Sequence, residues 1–134
     1  HGRRLVDEIK SRISRPILLE RGESLTLKRT NVALLIRGVQ ADNVRILRVR
    51  DDVVRFGGEG AVLLFKRASE LYIPPGNTRV SERYPGLYSE LERKLHPKDG
   101  DVILIGMGEE HTSVTVAVLN AAIYMLLESR GFSE

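Results

Sequence analysis

Apolar residues near the start of the chain recur at helical spacing. Leu5, Val6, Ile9 and Ile13 form one stripe of RRLVDEIKSRIS, and Pro16 ends it. The pattern predicts an amphipathic helix. PILLERGESLTLK then alternates apolar and polar positions around Arg21-Gly22, which reads as a hairpin. The apolar runs NVALLIRGV, NVRILRVR and AVLLFKR follow, separated by QAD and by the glycine-rich FGGEG. Within them VRILRVRDDVVRF, residues 44–56, reads as two strands around a turn at Asp51-Asp52. ELYI adds a short edge strand, because Pro74-Pro75-Gly76 ends pairing at once. The first half is expected to be an antiparallel meander fronted by one helix.

The second half changes period. PPGNTRVSERYPG reads as an irregular linker, and LYSELERKL carries Leu87, Leu91 and Leu95 at four-residue spacing before Pro97. DVILI is a fully apolar strand. GMGEEHTSVTVAVLNAAIYMLLESRG is a long helix closed by Gly131 and apolar on nearly every face from Val114 to Leu127. Such a helix lies against the sheet in the middle of the domain or forms a subunit interface. The expected class is therefore α+β: an antiparallel meander packed against an N-terminal helix and a long, largely buried C-terminal helix.

With 134 residues, 42% of them hydrophobic, the chain fits one domain over 1–134. No uninterrupted apolar run of about 18 residues occurs, and HGRRLVDEIK lacks the apolar stretch of a secretory signal, so a soluble cytoplasmic protein with no membrane partner is expected. His1-Gly2 resembles the scar of a cleaved tag and is set aside. The absence of cysteine excludes disulfides and thiolate chemistry. Arginine supplies 16 of the 21 basic residues, with one glutamine and four asparagines, a composition that leans towards a thermophilic source. Residues 1–67 hold 15 basic against 8 acidic side chains, and residues 68–134 hold 6 against 10. That asymmetry suggests an anionic partner for the first half.

Candidate chemistry is sparse. His96 ends a helix, where its charge would favour the dipole. His111 lies in GMGEEHTS beside Glu109 and Glu110, but one histidine and two adjacent carboxylates match no familiar metal-ligand spacing. These carboxylates complement a helix N-terminus, with Thr112 or Ser113 as its cap, and would repel a phosphate brought to the GMG turn. No catalytic, metal or cofactor site is expected. Arginines and aromatics, by contrast, coincide: Arg37, Arg45, Arg48, Arg50 and Arg55, then Phe56, Phe65, Lys66, Arg67 and Tyr72, with Arg79 and Arg83 in the linker. Guanidinium groups bind phosphates and stack on bases, and rings stack on bases, so a sheet carrying both suits single-stranded nucleic acid. The rival is a surface ion-pair network with the nearby Asp and Glu residues, which would leave no basic excess.

DVILIGMGEEHTSVTVAVLNAAIYMLLESRG resembles the strand-glycine-helix opening of Alba-type archaeal chromatin proteins. That family has lysines after the glycine where this chain has Glu109 and Glu110, so its binding residues do not carry over. The element order, basic sheet and composition resemble the ThermoDBP-related proteins of hyperthermophilic archaea, which implies binding of ssDNA or ssRNA in a basic, aromatic-lined cleft. The expected function is non-enzymatic, largely sequence-independent binding of single-stranded DNA or RNA. The alternatives are an assembly subunit that forms a homodimer through the C-terminal helix, and a small enzyme around Glu109–His111.

Overall fold

The computed structural model describes residues 2–129 of the chain. In order the elements are α1 (Gly2–Ser11), β1 (Ile17–Leu18), α2 (Glu23–Thr26), β2 (Thr30–Ile36), a 3-10 turn (Ala41–Asn43), α3 (Ile46–Arg55), β3 (Gly60–Arg67) and β4 (Glu70–Ile73). They continue with β5 (Thr78–Arg79), α4 (Val80–Arg83), α5 (Pro85–Leu95), β6 (Val102–Gly108) and α6 (His111–Ser129). The fold is α+β, with an N-terminal helix, an antiparallel sheet and a long C-terminal helix. Gly131, the expected stop of α6, lies outside the described residues.

The six strands run in the order β1-β2-β6-β3-β4-β5, every pair antiparallel. β6 inserts between β2 and β3, and only β3-β4-β5 form a consecutive meander. Helices cover both faces of the centre, so alternate residues enter two separate cores. Val32, Leu34, Ile36, Leu63, Val102 and Leu104 meet α1, α3 and α6 on one face. Ala33, Leu35, Leu64, Ile103 and Ile105 meet α4 and α5 on the other. Burial on both faces explains why β2 and β6 are continuous apolar runs rather than alternating ones. α6 is long and apolar enough to cross a membrane by length and composition. Here it is a core helix, with Val114, Ala117, Val118, Ala121, Ala122, Met125 and Leu126 buried. Its close seat requires Gly106 on β6, where a Cβ would stand 2.3 Å from Val118 Cγ1.

Two expected hairpins are not hairpins. Residues 46–55 form α3, not two strands. Their β-branched side chains suit a strand, but Ile46, Val49, Val53 and Phe56 all pack into the core at helical spacing, which decides the matter. Asp51-Asp52 is therefore mid-helix and makes no turn. In PILLERGESLTLK, β1 pairs directly with β2, Ile17 opposite Ala33, and α2 spans the connection. ELYI is β4 as expected, but β5 covers its edge, and the expected linker supplies both β5 and α4.

Glu90 is buried beneath β1 with 1% exposure. Its carboxylate accepts hydrogen bonds from the backbone N–H groups of Glu20 (2.7 Å) and Arg21 (2.8 Å) and from Lys94 Nζ (2.8 Å). Burial pushes its pKa up, but these donors outweigh burial and hold it below the ordinary carboxylate value. The residue fastens α5 to the chain after β1.

Candidate functional site

The cover over the first face is incomplete. α3 and α6 lie over β2, β6 and most of β3, and the outer wing formed by β4, β5 and the last residues of β3 extends past them. The register places Val102, Phe65, Tyr72 and Arg79 side by side across four strands. That row begins in the core at Val102 and ends exposed at Arg79. Arg67 shares the face of Phe65, and its Cζ lies 4.7 Å from the ring centre of Tyr72. Its Nη2 is 3.5 Å from Asn77 Oδ1.

Above this row opens a cleft of about 420 Å³. Phe65, Tyr72 and Pro74 line it from the wing, Val39, Gln40, Asp42 and Ile46 from the connection into α3, and Asn77, Gly100 and Asp101 from two turns. Each wall is fixed by local structure. Gly38 adopts φ +78°, and its carbonyl and that of Arg37 accept hydrogen bonds from the Arg12 guanidinium at 2.5 and 3.0 Å. A Cβ at Gly38 would meet that guanidinium at 2.7 Å. Asn77 turns the chain between β4 and β5 at φ +56°, a conformation asparagine tolerates. Glu70 accepts from the N–H and hydroxyl of Ser81, pinning the corner that presents Arg79. Burial raises the Glu70 pKa, but the Ser81 and Leu71 donors and nearby Arg79 bring it below the ordinary value.

The twelve residues expected to bind nucleic acid separate into three groups. Phe65, Arg67 and Tyr72 line the cleft, and Arg79 adjoins them. Arg37, Arg45 and Arg50 lie on neighbouring elements and outside its lining: Arg37 opens the connecting loop, Arg45 precedes Ile46 and lines a separate depression with Leu47 and Arg48, and Arg50 lies one turn after Ile46 on α3. All three are exposed, and their side chains make no hydrogen bond or ion pair with any described residue.

The remaining five are engaged elsewhere. Arg48 faces α6 and pairs with Glu128 at 2.7 Å. Arg55 pairs with Asp52 at 3.2 Å and lies over Phe56, which stacks on Tyr124 at 5.5 Å between ring centres. Phe56 is thus a cap of α3 packed on α6 and not a stacking platform for bases. Lys66 borders the cleft between Phe65 and Arg67, yet its side chain departs furthest from expectation. Strand alternation sends it to the face opposite Phe65, where it is 7% exposed and paired with Glu92 at 2.5 Å. Arg83 ends α4 and lies with Arg21 and Tyr84 at a separate depression.

The alternative centre, Glu109 to His111, stands at the surface. Glu109, Glu110 and His111 are all exposed, and the Glu110 carboxylate accepts from the Ser113 hydroxyl at the start of α6. Among the described residues no three His, Asp or Glu side chains gather as a metal site.

A family model described as a domain of unknown function, DUF4443, matches residues 27–126. The chain belongs to the DUF4443 family. The matched part of this DUF4443 chain runs from just before β2 into the last turns of α6 and contains every residue of the cleft. No curated protein matches it. Among solved structures it is similar to the hypothetical protein PH0730 from Pyrococcus horikoshii OT3, with a TM-score of 0.71 and 21% identity over 98% of this chain. That likeness is one of fold. The DUF4443 chain spans 65% of the length of the Pyrococcus protein.

Sequence reasoning missed the polar wall. Gln40 and Asp42 stand in QAD, which reads only as a separator, and Asp101 opens an apolar strand. The available signal was the PPGN turn, whose Asn77 faces the cleft.

Proposed function

We propose that this domain is a cytoplasmic, non-enzymatic binder of single-stranded DNA or RNA that holds the strand along the uncovered wing of the sheet. One observation carries the reading: a row of aromatic and guanidinium groups, Phe65, Tyr72 and Arg79 with Arg67 over Tyr72, flanks an open cleft. Rings and guanidinium planes stack bases without regard to most of the sequence, while unpaired cations neutralise phosphates. The side chains of Arg37, Arg45 and Arg50, on elements next to the cleft, have no intramolecular partner among the described residues, which leaves their charge available to phosphates. The volume, about 420 Å³, falls in the range of about 300–1,000 Å³ of small-molecule sites and suits a base with part of its sugar.

The test is fluorescence anisotropy with labelled ~20-mers of single-stranded DNA, single-stranded RNA and duplex, at low and at physiological salt. Single strands are expected to bind more tightly than duplex, to weaken with salt, and to lose affinity in Arg67→Glu. Absence of binding to all three at low salt would overturn the reading.

One observation favours assembly as a second role. An apolar groove of about 500 Å³ separates α1 from α6, lined by Val6, Ile9, Ile13, Val116, Leu119 and Ile123. Val6 and Val116 on it are 47% and 45% exposed. We infer a second copy of the chain as its occupant, and a monomer by light scattering across the micromolar range would remove that role.

A further inference from the structure

We propose that Arg67 binds a base and not a phosphate: its guanidinium, laid over Tyr72, is the surface on which a base of the strand stacks. The inference rests on the single-strand reading of the same cleft and divides the work among the arginines. In the register Arg67 stands opposite Glu70 and diagonal to Tyr72, all on one face of the wing. The Glu70 carboxylate is taken by the N–H groups of Leu71 and Ser81 and by the Ser81 hydroxyl. No carboxylate among the described residues pairs with Arg67. Its Cζ lies instead over the Tyr72 ring, 4.7 Å from the centre, and its Nη2 reaches Asn77 Oδ1 at 3.5 Å.

A base between ring and guanidinium would need about 7 Å, two contact distances, so the side of Tyr72 beneath Arg67 is closed at 4.7 Å. Arg67 itself is exposed and lines the cleft, where it offers a planar, weakly hydrated cation for a base to lie on. A phosphate is less well placed there. Asp42 and Asp101 line the same cleft, and the Lys66 ammonium is turned to the opposite face with Glu92. The acidic residues of the lining therefore outnumber its one cation without an ion pair, which favours a neutral base over an anion. Arg37, Arg45 and Arg50, outside the lining, are left for the phosphates.

The test measures anisotropy of labelled ~12-mers, oligo(dT) and an abasic deoxyribose-phosphate strand of the same length, at low salt and across a salt series. Lysine keeps the charge and loses the plane. Arg67→Lys is expected to bind oligo(dT) about tenfold more weakly than the native chain does, and the abasic strand equally well. Arg67→Gln is expected to lose a similar factor on oligo(dT) with the slope of log affinity against log salt unchanged. Three results would each overturn the stacking role and leave the single-strand reading standing: oligo(dT) affinity within about twofold of native in Arg67→Lys, equal losses on the two strands, or a slope lowered by about 0.7 in Arg67→Gln. Failure of the native chain to bind oligo(dT) at low salt would overturn both.

Discussion

The centre of the sheet and its outer wing share a strand and part company along it. On β3, Leu63 lies beneath α3 and is 3% exposed, whereas Phe65, two residues on and facing the same way, borders the open cleft. Nothing in the backbone distinguishes the two positions. A helix passes over one and stops short of the other. Core and candidate site are thus the same surface with and without a cover, and the difference is open to test.

The largest effect is expected at the centre. Leu104→Ala removes a fully buried side chain between β2 and β3 and should cost about 2–5 kcal/mol in chemical denaturation. Strand affinity of the protein that remains folded should not change. A stability loss below about 1 kcal/mol would show that the centre is not packed as described.

Beneath the other face, Glu90→Gln keeps the shape and removes the charge that Lys94 and two backbone donors engage. The expected cost at neutral pH is about 1–3 kcal/mol. Because the folded pKa lies below the unfolded one, this stabilisation is complete above about pH 4.3 and fades as pH falls through the folded value. Native and variant denaturation midpoints should therefore converge on acidification. Parallel curves would exclude Glu90 as the source of acid sensitivity.

On the wing the balance reverses. Tyr72→Ala loses a side chain that stands opposite Phe65 across the strands and beneath Arg67, worth at most about 1 kcal/mol of stability. It should cost about 1–3 kcal/mol of strand affinity, since a stacked base loses its platform. A variant that is strongly destabilised yet binds normally would erase the distinction between centre and wing.

The smallest effect falls on the margin. Arg45→Ala with Arg50→Ala should leave thermal stability within about 0.5 kcal/mol, both side chains being exposed and unpaired among the described residues. The slope of log affinity against log salt should drop by about 1.4. An unchanged slope would remove these two arginines from the phosphate path.

Hydrophobic period alone determined much of this protein. The stripe of α1, the apolar runs of β2 and β6, the leucine ladder of α5 and the apolar α6 are each recognisable because burial on one or all sides imposes its own spacing on the residues. On one face of β3, the change from Leu63 to Phe65 and Arg67 even marks where the cover over the sheet ends.

Three things were left to the tertiary structure. Residues 46–55 carry strand-forming side chains at helix-compatible spacing, and only the packing of Val49 and Val53 against α6 and β3 resolved that conflict. The place of β6 between β2 and β3 depends on pairing across more than thirty-five residues of chain, which no local pattern encodes. Which arginines remain free depends on what lies opposite them: Arg48 and Arg55 turn towards α6 and find Glu128 and the Phe56–Tyr124 stack, while the exposed side chains of Arg45 and Arg50 find no partner among the described residues. Composition counts charges, but partners are set by which surfaces the fold brings face to face.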